Sequence, residues 1–82
     1  MWINTEDNQL INLDNIVRIF IDGYVDGYII KAWDISEDKA YDLAKVNAED
    51  EAKSIIDYIG ENIYKGTKYL EINYWHNKIV VL

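Results

Sequence analysis

Few side chains in this sequence could carry out catalysis, and none of them stands in a catalytic arrangement. His76 is the single histidine, and there is no cysteine. A nucleophile needs a positioned base, and the base needs an orienting group. No serine or aspartate lies at a recognisable catalytic spacing from His76. We therefore interpret His76 as a turn residue and expect no enzymatic activity.

Carboxylates are numerous, but their spacing does not predict a metal site. Asp22 and Asp26 lie four residues apart, without the downstream glutamate that a calcium loop requires. With fifteen acidic residues in a chain of 82, a carboxylate pair of the kind used by glycosidases arises by chance. The four glycines form no phosphate-binding loop. We therefore expect neither a metal nor a cofactor.

The charge balance favours a protein partner over a nucleic acid or a membrane. Fifteen acidic and eight basic residues give a net charge of −7, which repels phosphate backbones and anionic lipids. No apolar run approaches the ~18 residues of a membrane span, and we expect no signal peptide. The sequence thus predicts a cytoplasmic protein without direct nucleic-acid binding. It leaves open a basic protein partner, or an acidic surface that serves solubility alone.

The hydrophobic pattern predicts one α+β domain spanning residues 1–82. Eighty-two residues make one domain, since two would each be too small to bury a core, and half of the residues are hydrophobic, which is enough for a folded core. Strands are predicted at 1–4, 9–13, 16–21, 28–33 and 39–46, although the alanine-rich last segment also suits a helix. The Asp-Gly pairs at 22–23 and 26–27 indicate a hairpin that joins 16–21 to 28–33 in antiparallel fashion.

One amphipathic helix is predicted from about Ala48 to Tyr64. Asn47 is the expected N-cap, and Gly66 suits the left-handed residue that ends a helix. Ion pairs between residues four apart are expected for Lys53 with Asp57 and for Glu61 with Lys65. The apolar residues form one continuous face, which needs a sheet to lie on: Ala48, Ala52, Ile55, Ile56, Ile59 and Ile63.

The alternation of residues 67–82 predicts a second hairpin, with its turn at His76-Asn77. The expected fold is an antiparallel sheet of four to five strands, with one helix packed on one face and a C-terminal β-hairpin. An apolar edge at the end of that hairpin would invite pairing with a second copy, so we predict a homodimer. The predicted dimer edge comprises Ile79, Val80, Val81 and Leu82.

Two surfaces are candidates for binding a partner. Eleven aromatic residues exceed what a core of this size can bury, and tyrosine and tryptophan are enriched at interfaces. The candidate contact surface comprises Trp33, Tyr58, Tyr69 and Trp75, with partial burial at the sheet rim as the alternative. The candidate acidic surface comprises Glu49, Asp50, Asp57 and Glu61, which could imitate a nucleic acid in the basic groove of a host or defence protein.

The chain also shows a resemblance over residues 1–63. The residues that carry it are MWINTED at 1–7, LINLDNI at 10–16 and AEDEA at 48–52. These segments resemble those of short proteins of unknown function from low-GC Gram-positive bacteria, their phages and mobile elements. The resemblance implies a few strands, one helix and an origin in a phage or mobile element. It implies no activity and no site residues.

Three classes of function follow from these observations. The first is a non-enzymatic protein-interaction module, whose binding would be sensitive to salt if the acidic surface dominates. The second is a structural or assembly component, which would form dimers or higher oligomers by itself. The third is a small-ligand or metal-sensing domain, which would need a well-formed apolar pocket with converging polar groups.

Overall fold

The computed structural model describes residues 1–72 and shows an α+β fold. Its elements, in chain order, are β1 (Trp2–Asn4), β2 (Leu10–Asn12), a 3₁₀ turn (Leu13–Asn15), β3 (Ile16–Tyr24), β4 (Gly27–Asp34), β5 (Lys39–Val46), α1 (Glu49–Lys65) and β6 (Tyr69–Glu71). Strands β3, β4 and β5 form the large sheet in that order, and β2, β1 and β6 form the small sheet in that order.

The large sheet is fully antiparallel, and its first hairpin is the one that the sequence predicted. Ile21 lies opposite Ile30, and Tyr24 opposite Gly27, so that Val25 and Asp26 form a two-residue turn. Residues 39–46 form β5 and not a helix, because this segment pairs along the whole length of β4. β5 contains one irregularity at Leu43, which has no directly opposed residue in β4.

The predicted single sheet of four to five strands is replaced by two sheets of three strands. The 3₁₀ turn separates β2 from β3, so β2 pairs with β1 instead of extending the large sheet. The first arm of the predicted C-terminal hairpin becomes β6, which pairs in parallel with β1 through Ile3 and Leu70. The rest of that hairpin, including His76 and the predicted dimer edge at 79–82, lies outside the described residues.

The two sheets and the helix bury their apolar residues in one cluster. Ile30 comes from β4, Ile55 and Ile59 from α1, and Ile3 and Leu70 from the small sheet. α1 packs across β3, β4 and β5, as the apolar face of the helix required. The backbone amide of Glu6 also donates to the carbonyl of Leu43 at 2.9 Å, which ties the β1–β2 loop to the irregular point of β5.

The ends of α1 differ in how well the sequence predicted them. The N-cap is Ala48 and not Asn47, and no side chain caps this end. Three acidic residues in the first turn interact favourably with the helix dipole instead. Lys53 pairs with Glu49 at 3.0 Å and not with Asp57. In a helix, a lysine interacts more favourably with an acidic residue four positions before it than with one four positions after it. At the other end, Gly66 has the predicted left-handed conformation, with φ 75°.

Gly60 lies within α1, where it lowers stability without a packing reason. A Cβ atom added at this position would meet no atom within 4 Å. We therefore expect Gly60→Ala to raise the free energy of unfolding by about 0.5–1 kcal/mol, since alanine loses less backbone entropy in a helix. Urea denaturation followed by circular dichroism measures the change. Unchanged or lower stability would show that the position needs glycine.

Candidate protein-contact surfaces

The small sheet buries one face and exposes the other. Ile3, Ile11 and Leu70 lie side by side on the buried face, because successive residues of a strand point to opposite sides. The residues between them form the outer face of the small sheet. This face carries three large apolar side chains, Trp2, Leu10 and Tyr69, and we refer to these three residues as the Trp2 face.

The register of the strands brings the Trp2 face together. Trp2 lies directly opposite Tyr69 of β6 and opposite Asn12 of β2, two residues from Leu10. Side chains in such direct and diagonal positions are close enough to touch. Their exposed fractions are 46% for Trp2, 59% for Leu10 and 52% for Tyr69. Aromatic and aliphatic groups exposed to this degree in one place are typical of binding surfaces.

Hydrogen bonds around β1 hold this face in place. The Trp2 amide donates to the Lys68 carbonyl at 2.8 Å, which sets the register of β6. Thr5 is fully buried in the β1–β2 loop. Its hydroxyl donates to Asp7 and accepts from the Gln9 amide at 3.0 Å, so it closes the turn that returns the chain into β2. The outer face is therefore built on an ordered hairpin.

Carboxylates lie beside the Trp2 face. Glu71 is on the same face, two residues beyond Tyr69. A shallow cavity of about 260 Å³ is lined by Trp2 and Leu10 together with Asp34, Glu37 and Tyr41. The Tyr41 hydroxyl donates a hydrogen bond to Glu37, which raises the pKa of the phenol above its ordinary value. The apolar surface is thus flanked by acidic groups on two sides.

Of the four aromatic residues predicted as one contact surface, three lie within the described residues, and these three stand on different elements. Tyr69 is exposed on the Trp2 face. Trp33 is half-buried in β4, on the side of the large sheet that faces away from α1. Tyr58 is half-buried against the core, so it contributes to packing. Trp75 lies outside the described residues.

Trp2 and Leu10 were missed by the sequence analysis, although a signal was present. Both alternate with buried isoleucines, Trp2 with Ile3 and Leu10 with Ile11. This two-residue period places one member of each pair outside. With strands of only three residues, the pattern was too short to show which member faces the core.

The predicted acidic surface lies along α1, but it is partly neutralised. Glu49 pairs with Lys53 at 3.0 Å, and Glu61 pairs with Lys65 at 2.9 Å. Within residues 1–72, neither Asp50 nor Asp57 has a lysine or arginine nitrogen within ion-pair distance. The helix therefore presents alternating charges and not a continuous row of carboxylates.

Two further features are absent from the described part of the chain. Residues 1–72 contain no group of three or more side chains placed to hold a metal ion. Within the same residues, no helix combines the length and the apolar character needed to span a membrane. Comparison with known proteins adds no relative: no family model, no curated protein and no solved structure matches this chain.

Proposed function

We propose that the protein is a non-enzymatic interaction module that binds another protein through the Trp2 face. The observation that supports this proposal is the side-by-side arrangement of three large apolar side chains, each about half exposed, on the outer face of the small sheet. Aromatic residues in the centre of a contact patch provide most of the binding energy in protein complexes. The β1–β2 hairpin and the paired strand β6 hold these side chains in place, which lowers the entropic cost of binding.

The flanking charges indicate the chemistry of the partner. Glu37 and Glu71 stand beside the Trp2 face, and the whole chain carries a net charge of −7. A complementary partner surface would have an apolar centre and lysine or arginine at its rim. We propose a cytoplasmic protein of phage or mobile-element origin whose partner is a basic protein, without direct binding to nucleic acids or membranes.

A narrower version of this proposal is mimicry of a nucleic acid by α1. Two of the four helix carboxylates are already paired with lysines, which weakens this version. Asp50 and Asp57 would then provide most of the negative charge that takes the place of phosphate groups. Partner binding that falls steeply with salt and depends on these two residues would favour it over binding through the Trp2 face.

We expect Tyr69→Ser to weaken partner binding by about tenfold or more, because a tyrosine at the centre of an interface that acts as a hot spot contributes about 2 kcal/mol or more. The matched control is Tyr64→Ser, which removes a tyrosine that is 92% exposed on α1 and is not part of the Trp2 face. Photo-crosslinking from benzoylphenylalanine at position 69 or 64, in cells that produce the protein, identifies the partner. Calorimetric titration of that purified partner then compares the wild-type protein with the two variants.

The two outcomes separate clearly. A partner that crosslinks from position 69 only, and binds Tyr64→Ser as tightly as the wild-type protein, supports the Trp2 face. A partner that crosslinks equally from both positions, or that binds Tyr69→Ser with unchanged affinity, contradicts it. Melting curves of both variants show whether the domain stays folded. Because Tyr64 is almost fully exposed and Tyr69 is half exposed, we expect little effect on stability.

A further inference from the structure

One long edge of the large sheet has no partner strand within the described residues. β3 spans Ile16–Tyr24 and pairs with β4 on one side only. No backbone hydrogen bond from another described element reaches its other side. The opposite edge of the sheet, at β5, is partly covered, because Glu6 hydrogen-bonds with Leu43 and Lys45 there. An open edge of this length is a template for another strand.

The side chains of β3 carry opposite charges at symmetric positions. Arg18, Phe20 and Asp22 alternate along the strand and point away from α1, as their β4 neighbours Trp33, Lys31 and Ile29 do. The Arg18 guanidinium lies over the Phe20 ring, 4.5 Å from its centroid. Arg18 is the only arginine of the chain. Phe20 is thus flanked by one cation and one anion, each two residues away.

An apolar groove accompanies the same edge. It has a volume of about 290 Å³ and runs between the first half of β3 and the second half of α1. Val17 and Ile63 line it, and both side chains are largely exposed. A strand that adds to β3 would therefore lie beside this groove and could bury part of its apolar surface. Backbone pairing and apolar burial would act at the same place.

We propose that a second copy of this chain occupies the edge, by antiparallel pairing of β3 with β3 around a two-fold axis at Phe20. In this register Arg18 lies opposite the partner's Asp22, and Asp22 lies opposite the partner's Arg18. Directly opposed charges of opposite sign stabilise a strand pair. Phe20 faces the partner's Phe20, and Ile19 faces the partner's Ile21. The result is a continuous sheet of six strands.

The positions of Arg18 and Asp22 favour a second copy of this chain as the added strand, and they favour this one register. A two-fold axis at Arg18 or at Asp22 would place like charges opposite each other, which is unfavourable. An axis at Ile19 or Ile21 would place neither Arg18 nor Asp22 opposite a charge of the second copy, so that Asp22 would keep only its ion pair with Lys31 of the same chain, at 3.6 Å. Regular pairing spans 18–22, because β3 has an irregularity between Ile16 and Arg18. A strand that is complementary to itself in this way fits an isologous dimer, the commonest symmetric assembly.

This dimer uses a different surface from the Trp2 face, so either proposal can fail without the other. The test is sedimentation equilibrium of the full-length protein and four variant samples. These are Arg18→Asp, Asp22→Arg, the double variant that exchanges both charges, and an equimolar mixture of the two single variants. We expect a wild-type dimer and an association constant at least about tenfold lower for each single variant, since each places two like-charged pairs in the interface.

The exchanged and mixed samples are the decisive controls. The double variant restores both opposite-charge pairs between identical chains, and the mixture restores them between different chains. Chains with arginine at position 22 also lose the ion pair between Asp22 and Lys31, so recovery of the dimer in these samples comes from the pairs across the interface. We expect both samples to dimerise again, which a simple loss of folding cannot produce. If a charge reversal unfolds the chain, the neutral variants Arg18→Gln and Asp22→Asn replace it, with an expected intermediate loss of dimer.

Several outcomes would overturn the proposal. The first is a wild-type protein that stays monomeric at ~1 mM, because a dimer with a dissociation constant above that concentration would be too weak to matter. A dimer whose association constant is the same in all variants is another, and it would place self-association elsewhere, such as the predicted edge at 79–82. A monomer in every sample would mean that the edge is covered within the chain or is kept for a foreign strand.

Discussion

Replacing Gly27 with alanine is expected to lower the free energy of unfolding by about 2–4 kcal/mol. Gly27 is the buried first residue of β4 and has a φ of 154°, which favours glycine. A Cβ atom there would overlap the backbone carbonyl oxygen of Val46. Because Val46 lies in the paired part of β5, the clash cannot be relieved by a side-chain rotation. Urea denaturation measures the loss.

Gly60→Ala is the matched control for this change, since it adds the same methyl group where nothing lies within 4 Å. We expect the two variants to shift stability in opposite directions. If Gly27→Ala unfolds at the same urea concentration as the wild-type protein, the hairpin end must adopt another backbone conformation than the one described. A loss of similar size in both variants would indicate a general intolerance of added volume.

Replacing Ile3 with alanine is expected to cost about 2–5 kcal/mol, the range for removing a large buried aliphatic side chain. Ile3 is fully buried at the centre of the small sheet, opposite both Ile11 and Leu70. The same buried cluster includes Ile30 of the large sheet. Removal of the Ile3 side chain should therefore destabilise both sheets together. Denaturant unfolding gives the total, and amide hydrogen exchange at Ile30 reports on the large sheet.

Val25→Ala is the control for Ile3→Ala, because Val25 is 99% exposed at the turn between β3 and β4. A change within about 0.5 kcal/mol is expected there. If Ile3→Ala instead opens the small sheet and leaves exchange at Ile30 as slow as in the wild-type protein, the two sheets are separate folding units. Equal acceleration of exchange in both sheets would support one cooperative core.

The local elements of the fold could be predicted because each depends on neighbouring residues. The pairing of β3 with β4 was predicted from two β-branched segments with Asp-Gly pairs between them, although Asp22 and Gly23 belong to β3 and the turn itself is Val25-Asp26. The helix follows from a 3.6-residue apolar period, and its end follows from Gly66. Asn47 was wrong as the N-cap, because the extended backbone position that precedes the first helical turn falls on Ala48. A shift of one residue at a helix end depends on how the chain enters from β5.

The candidate site was predicted only in part. Tyr69 was chosen because it is aromatic, and the structure places it on an exposed face. Its neighbours Trp2 and Leu10 are distant in sequence, and they join it only because β1 pairs with both β2 and β6. Trp33 and Tyr58, chosen for the same chemical reason, lie half-buried in other places. Residue type indicates what could bind, but it does not show which residues meet.

By itself, the sequence determined the α+β class, the acidic charge, the long hairpin and the amphipathic helix. These depend on composition and on periods of two or 3.6 residues, which act over short distances along the chain. Only the tertiary structure decided between strand and helix for 39–46, paired β6 in parallel with β1, and left β3 with a single neighbouring strand within residues 1–72. Such pairings join residues up to about seventy positions apart, and their free energy comes from burying a shared core that no local pattern contains.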